Sequence, residues 1–160
     1  MPGDVLTAVV EGSATNVGDE GKNVVKSYKV MRGGADVTGN YTFTDSVDGK
    51  LTILPRTVTL TSETASKEYD GTPLTRPDVS VTGDGFVSGE VTGITATGSV
   101  TYVSDGTVEN TITYTTGAAF REENYKITKN PGQLSITQSS NAIVITTASR
   151  SRVYNGEKLL

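Results

Sequence analysis

The residues best placed to do chemistry sit in four acidic turns: GDEG at Gly18, DSVDGK at Asp45, GDG at Gly83 and SDG at Ser104. Their carboxylates suggest calcium, which takes roughly six to eight oxygens converging on one point, in an EF-hand from alternate positions and a closing Glu. None of the four turns has that spacing. They read as Asp-Gly turns, with calcium held only where two loops converge. Tyr69 and Tyr154 offer a second chemistry, an aromatic face for a sugar ring, and are the candidate ligand-binding residues. The structural reading of the same pair, preferred here, packs each ring at a strand end with its hydroxyl capping a turn. Tyr41 and Tyr125 both follow Asn and read as turn plus core. Glu122 and Glu123 would be the carboxylates of a glycosidase, but neighbours in a strand face opposite sides. Lys26, Lys29 and Lys126 lie in or beside strand-like runs and would serve an isopeptide crosslink only if buried beside an Asn and a carboxylate.

There are no cysteines, histidines or tryptophans. Thiol-dependent and histidine-dependent catalysis, disulfide frameworks and the common nitrogen and sulfur metal ligands are thereby excluded. The chain reads as non-catalytic, with no cofactor and no metal. With a net charge of -4 and singly scattered Lys and Arg, it has no basic stripe for a phosphate backbone, so nucleic acid is not an expected partner. No apolar run is long enough to span a bilayer, so this segment is not expected to insert. MPGDVLTAVVEG lacks the basic and apolar regions of a secretion signal, so an exported chain would be a piece of a longer one.

The elements that must position these residues are strands. Hydrophobic residues are only 34%, but Thr and Val fill the shortfall, and 18 glycines supply turns. Val58 and Leu60 alternate with Thr57, Thr59 and Thr61, giving one buried and one hydroxylated face. The run leads into KEYDGTPL, where Asp70-Gly71 turns the chain and Pro73 fixes its exit. Val79 and Val81 predict the next strand, before the loop GDGFVSGE. Val100 with Tyr102, and Ile112 with Tyr114, predict two more joined through SDGTVEN. Tyr125 with Ile127, and Leu134 with Ile136, predict a closing hairpin around KNPGQ.

These elements recur. GDVLTAVVEGSATNV from Gly3 lies over GEVTGITATGSVTYV from Gly89 at an offset of 86, which also pairs Tyr28 with Tyr114. NYTFT at Asn40 lies over NYKIT at Asn124, offset 84, and GKLTI at Gly49 over GQLSI at Gly132, offset 83. VTLTSETASKEYDG from Val58 lies over IVITTASRSRVYNG from Ile143, offset 85. The drift occurs between apolar runs, as loop insertions in a duplication produce. Only residues 56–138 span a whole period. Residues 1–55 match its later part and lack its first strands, while residues 139–160 match its opening. The expectation is that this C-terminal stub, with Ile143, Ile145 and Val153 facing in, completes the N-terminal copy within one chain or between two, since unpaired apolar edges aggregate.

KEYDGTPL, GDGFVSGEV, GSVTYV, NYKIT and GQLSIT, with YNGEKLL opening a further copy, resemble the tandem MBG or YDG type repeats of large bacterial cell-surface and secreted adhesins. The resemblance implies mainly β, strand-rich modules arranged end to end, β-grasp-like as in related mucin-binding repeats. A β-grasp wants a helix over its sheet and only FVSGEV is on offer, so an Ig-like sandwich is the alternative. It also implies an extracellular or cell-wall attached bacterial location, where the Asn40-Tyr41-Thr42 glycosylation pattern carries no meaning. The implied role is that of a stalk or spacer, its partners the neighbouring repeats and, through weak multivalent contacts, host glycans or glycoproteins. A carbohydrate-binding accessory module of a secreted glycanase is the alternative. No catalytic residue comes with the pattern.

Overall fold

A computed structural model describes residues 1–159. Among them are fourteen strands and no α-helix, only three single turns of 3-10 helix. The chain is mainly β, as a Thr- and Val-rich sequence with frequent glycine turns requires. FVSGEV forms turns, so no helix crosses a sheet.

The sheets divide at residue 55. Before it lie β1 (Asp4–Glu11), β2 (Gly21–Arg32), β3 (Ala35–Asp36) and β4 (Gly49–Leu51). The long β1–β2 antiparallel hairpin carries a bulge where Val9 pairs Ser27 and Val10 pairs Val25, leaving Lys26 unpaired; β3 and β4 both pair with β2.

After residue 55 the chain forms β5 (Arg56–Ser62), β6 (Ala65–Glu68), β7 (Leu74–Thr75), β8 (Val79–Gly83), β9 (Val91–Ala96), β10 (Ser99–Val100), β11 (Thr107–Asn110), β12 (Ile112–Thr116), β13 (Tyr125–Asn130) and β14 (Gly132–Thr137). Two sheets, β13-β5-β8 and β12-β9, enclose one core of Val58, Leu60, Ile112 and Tyr125. Two others, β11-β14-β6 and β10-β7, enclose a second core of Leu74, Val100, Leu134 and Ile136. Val58, Leu60 and Leu134 are fully buried, each contributing about 2 kcal/mol of transfer free energy.

The path 56–68 runs beside 125–137 in parallel, Arg56 opposite Tyr125 and Glu68 opposite Thr137, and both strands cross from the first core to the second. The expected hairpin around KNPGQ is therefore absent. Pro131 has no amide for the ladder, yet the chain continues in the same direction after it and pairs with β6 rather than with β13. Two other expectations also change. TVEN of SDGTVEN is itself a strand, β11, and Tyr102 lies beyond β10 with its ring exposed. Thr57 is exposed and Thr59 half-buried while Val58 and Leu60 are covered, and Val79 and Val81 lie on β8, as the alternation implies.

Where the strands change sheets, their backbone groups lose ladder partners, and one buried cluster supplies them. The Asn110 amide donates to the carbonyls of Glu63 (3.2 Å) and Arg76 (2.8 Å) and accepts the Gly98 N–H (3.1 Å). The Ser62 hydroxyl donates to the Asn110 carbonyl (2.6 Å) and accepts the Gly132 N–H (2.9 Å). A Cβ on Gly132 would lie 2.1 Å from the Glu63 carbonyl oxygen, so only glycine permits this approach. Replacing Asn110 by Ala strands the buried Gly98 N–H and the part-buried Glu63 and Arg76 carbonyls, and denaturant unfolding should show a loss of roughly 2 to 4 kcal/mol; Ser62→Ala should cost about 1 to 2 kcal/mol. Wild-type stability in Asn110→Ala would remove the joint from this role.

Candidate functional site

The four acidic turns are occupied by their own backbones or remain apart. Asp19 Oδ2 accepts the amides of Thr15 (2.9 Å) and Asn16 (2.8 Å), and Asp105 Oδ2 accepts those of Tyr102 (2.9 Å) and Thr101 (3.3 Å). Asp84 Oδ2 accepts both the amide and the hydroxyl of Thr57. These bonds favour the charged carboxylate and hold Asp19 and Asp84 below the usual range. Among the described residues no group of three or more acidic side chains converges as a metal site would require. Glu122 and Glu123 form an exposed 3-10 turn, and Arg121 pairs with Glu123 at 3.7 Å. Lys26 and Lys29 are exposed in ion pairs with Glu11 (3.0 Å) and Asp36 (3.5 Å), and Lys126 is exposed, so none has the burial an isopeptide bond needs.

KEYDGTPL is a small polar knot. Lys67 Nζ donates to Asp70 Oδ1 (2.8 Å) and Thr72 Oγ1 (2.7 Å), while the amide and hydroxyl of Thr72 donate to the same Asp70 oxygen. Gly71 takes the left-handed conformation, φ 84°, that this Asx turn requires. Lys67 and the Thr72 donors hold the Asp70 carboxyl far below its ordinary value.

Tyr69 leaves this knot with its amide bonded to the Thr137 carbonyl (2.9 Å), and its ring, 40% exposed, faces Tyr102 at a centroid distance of 6.2 Å. The two rings form an exposed aromatic pair at the far end of the parallel strands. Sequence reasoning missed Tyr102. It lies in a different loop, and only the folding of the chain brings it to Tyr69. Tyr154 is elsewhere, 92% exposed, on a stretch without strand structure, so the two candidate tyrosines are not brought into equivalent surroundings. Tyr125 is core, with its hydroxyl donating to Glu90 Oε2 (2.7 Å); burial and that carboxylate raise its phenol pKa.

The N-terminal sheet repeats several of these contacts at the positions related by the sequence repeat. Tyr41 donates to Asp4, as Tyr125 does to Glu90. Asp19 holds the turn that Asp105 holds. Gly49, aligned with Gly132, also pairs with an asparagine, Asn23, as Gly132 pairs with Asn110, though Asn23 itself aligns with Glu109. Both faces of β1 are open, however: Val5, Leu6, Val9 and Val10 are all more than half exposed, and on one side a groove of about 350 Å³ is lined by Leu6, Ala8, Val25, Tyr28 and Phe43.

Asp4 is the titratable centre of this sheet. Its bonds to Arg32 and Tyr41 lower its pKa from 3.8 to about 2. A depressed carboxylate pKa stabilises the fold above the unfolded value, and that stabilisation is lost as pH falls through the folded one. Carbon-detected titration of the Asp4 carboxyl should therefore give a midpoint near 2, moving up toward 3.8 in Arg32→Met and, by less, in Tyr41→Phe. A midpoint near 3.8 in the wild-type chain would mean that these contacts do not persist in solution.

No family model, curated protein or solved structure matches this chain.

Proposed function

We propose that the chain is a non-catalytic repeat segment of a bacterial surface or secreted adhesin, a stalk or spacer of tandem small β modules that also makes weak multivalent contacts with glycans or host glycoproteins. The observation that carries this reading is mechanical. The segment 56–138 begins at Arg56 and ends at Thr137, at opposite ends of two strand paths that are hydrogen-bonded in parallel along their length. Modules joined through such ends extend rather than fold back. Tension applied through them loads both parallel ladders in shear, so many hydrogen bonds must yield together.

Neighbouring modules have a ready contact. Val17 N–H donates to Asn124 Oδ1 (2.7 Å), and Asn124 Nδ2 donates to Asn16 Oδ1 (2.9 Å), linking the N-terminal loop to the start of β13. The sequence repeat places Val103 where Val17 lies and Asn40 where Asn124 lies, so the backbone N–H and the Asn side chain of the first bond recur, while Tyr102, in the place of Asn16, has no amide oxygen for the second. Extracellular or cell-wall attachment follows from this role and from the resemblance to adhesin repeats.

Single-molecule force spectroscopy tests the stalk. Pulling between residues 55 and 138 should require markedly more force to unfold the module than pulling between residues 55 and 83, which peels β8 from β5. Equal forces in the two geometries would sink the mechanical reading.

A second reading, a carbohydrate-binding accessory module of a secreted glycanase, draws on the exposed Tyr69–Tyr102 pair, since flat aromatic surfaces suit sugar rings. A glycan array with the wild-type chain and Tyr69→Ala/Tyr102→Ala separates the two. Binding to one polysaccharide class that falls roughly tenfold in the variant favours the accessory module; weak binding to many glycans, strengthened by display in tandem, favours the stalk.

A further inference from the structure

We infer that Tyr69 and Tyr102 are a modification site, where a one-electron oxidant couples the two phenol rings of one chain into a dityrosine that braces the second core. Of the six ring contacts among the described residues, five include a phenylalanine. Tyr69–Tyr102, with centroids 6.2 Å apart and ring planes tilted by 32°, is the one contact between two phenols. Both rings are open to solvent, at 40% and 55% exposure, so an oxidant reaches them. Every other tyrosine lacks the exposure, the phenol neighbour or both. Tyr125 is buried with its hydroxyl held by Glu90, and Tyr41 and Tyr114 are half-buried beside phenylalanines. Tyr28 is exposed but lies against Phe43, and Tyr154, the most exposed, takes part in none of the six contacts.

The fold fixes the two backbones and leaves the rings free to turn. Tyr69 N–H donates to the Thr137 carbonyl (2.9 Å), and the next residue is Asp70, whose turn Lys67 and Thr72 hold. Tyr102 N–H donates to Asp105 Oδ2 (2.9 Å), as Thr101 N–H does (3.3 Å), and Gly106 N–H donates to the Val103 carbonyl (3.2 Å). Coupling joins the ring carbons ortho to the two oxygens. Bringing them together takes rotation about χ1 and χ2, which exposed side chains complete in picoseconds to nanoseconds. A radical held beside its partner in this way meets it at an effective concentration that separate dilute chains do not reach.

The step is a two-electron oxidation. Each phenol gives one electron to the oxidant and its hydroxyl proton to water, leaving a radical shared between the oxygen and the ortho carbons. The two radicals form a carbon–carbon bond between Cε of Tyr69 and Cε of Tyr102. Each ring regains aromaticity as the hydrogen on its bonded carbon leaves as a proton and the oxygen takes one up, so the chain loses two hydrogens in all. A peroxidase supplies the oxidant, and one hydrogen peroxide takes up the two electrons and two protons to give two waters.

The bond falls where the module has least to hold it. The ladder that brings the rings together, β7 with β10, has only two residue pairs, Thr75–Ser99 and Leu74–Val100, and is the shortest in residues 56–138. Leu74 and Val100 are two of the four buried residues of the second core. The chain has no cysteine to staple them. A dityrosine closes residues 69–102 into a loop and so takes chain entropy from the unfolded state, as a disulfide does.

The test treats the full chain, dilute, with a peroxidase and limiting hydrogen peroxide. The expected product is a monomer on a denaturing gel, lighter by two hydrogens and carrying dityrosine fluorescence. Cleavage before aspartate leaves Tyr69 on peptide 48–69 and Tyr102 on peptide 84–104, and these two should be recovered joined. The coupled chain should melt roughly 5 °C or more above the untreated one. Tyr69→Phe and Tyr102→Phe keep the ring and remove only the phenol, so each variant should melt with the parent before oxidation and lose the intramolecular product after it. Dityrosine confined to dimers whose yield rises with concentration, an intramolecular product that persists in either variant, or a coupled chain that melts no higher than the untreated one would each overturn the inference. It uses neither a stalk nor a glycan, so it stands or falls apart from both readings of function.

Discussion

The Asn110 side chain and the Ser62 hydroxyl hold the complete module together at its weakest point. Two adjacent strand paths leave one pair of sheets and join another at the same level, and a strand that changes sheets exposes amides and carbonyls that neither ladder satisfies. In a dry interior each unpaired group costs on the order of 1 to 3 kcal/mol. Asn110, wholly buried, offers two donors and an acceptor to three separate loops, and Ser62 links its backbone to Gly132. Among the described residues no buried side-chain polar atom is left without a partner. Such a cluster strengthens a fold when complete and weakens it when one member is removed. Both hydrophobic cores depend on it, because they meet there.

The joint also explains the module's shape. Pro131 and Glu63-Thr64 interrupt the two parallel paths at matching positions, so the sheets pass from one core to the next without a change of chain direction. The module is therefore long for its size, has its ends far apart and buries only two small cores. Small cores give limited stability, and the parallel ladders join segments far apart in sequence.

Where the sequence before residue 55 aligns with the sequence after it, the two stretches can be compared for strand pairing. Local contacts are present in residues 1–55: the Tyr41–Asp4 bond, the Asp19 turn and the pairing of Asn23 with Gly49. The stretch NYTFT pairs with no strand and forms none, whereas the aligned NYKIT pairs with β5. β structure is set by partners more than by intrinsic preference, and here one sequence pattern is seen with and without its partner.

Much of this was legible in the residues. The alternation of Val58 and Leu60 with threonines specified a one-sided strand, and Asp70-Gly71 read as a turn, because side-chain periodicity and turn chemistry are local properties of the chain. Tertiary structure decided the rest. Whether Pro131-Gly132 reverses the chain or merely interrupts a strand depends on which distant strand pairs with Gly132, and Glu63 and Asn110 decide that from across the module. Tyr102 reaches Tyr69 only because the strands between them are folded. Ile143 and Ile145 carry the pattern of a buried strand yet lie in solvent, as does Val153, contrary to the expectation that they face in, because burial needs a partner strand and this segment forms no ladder.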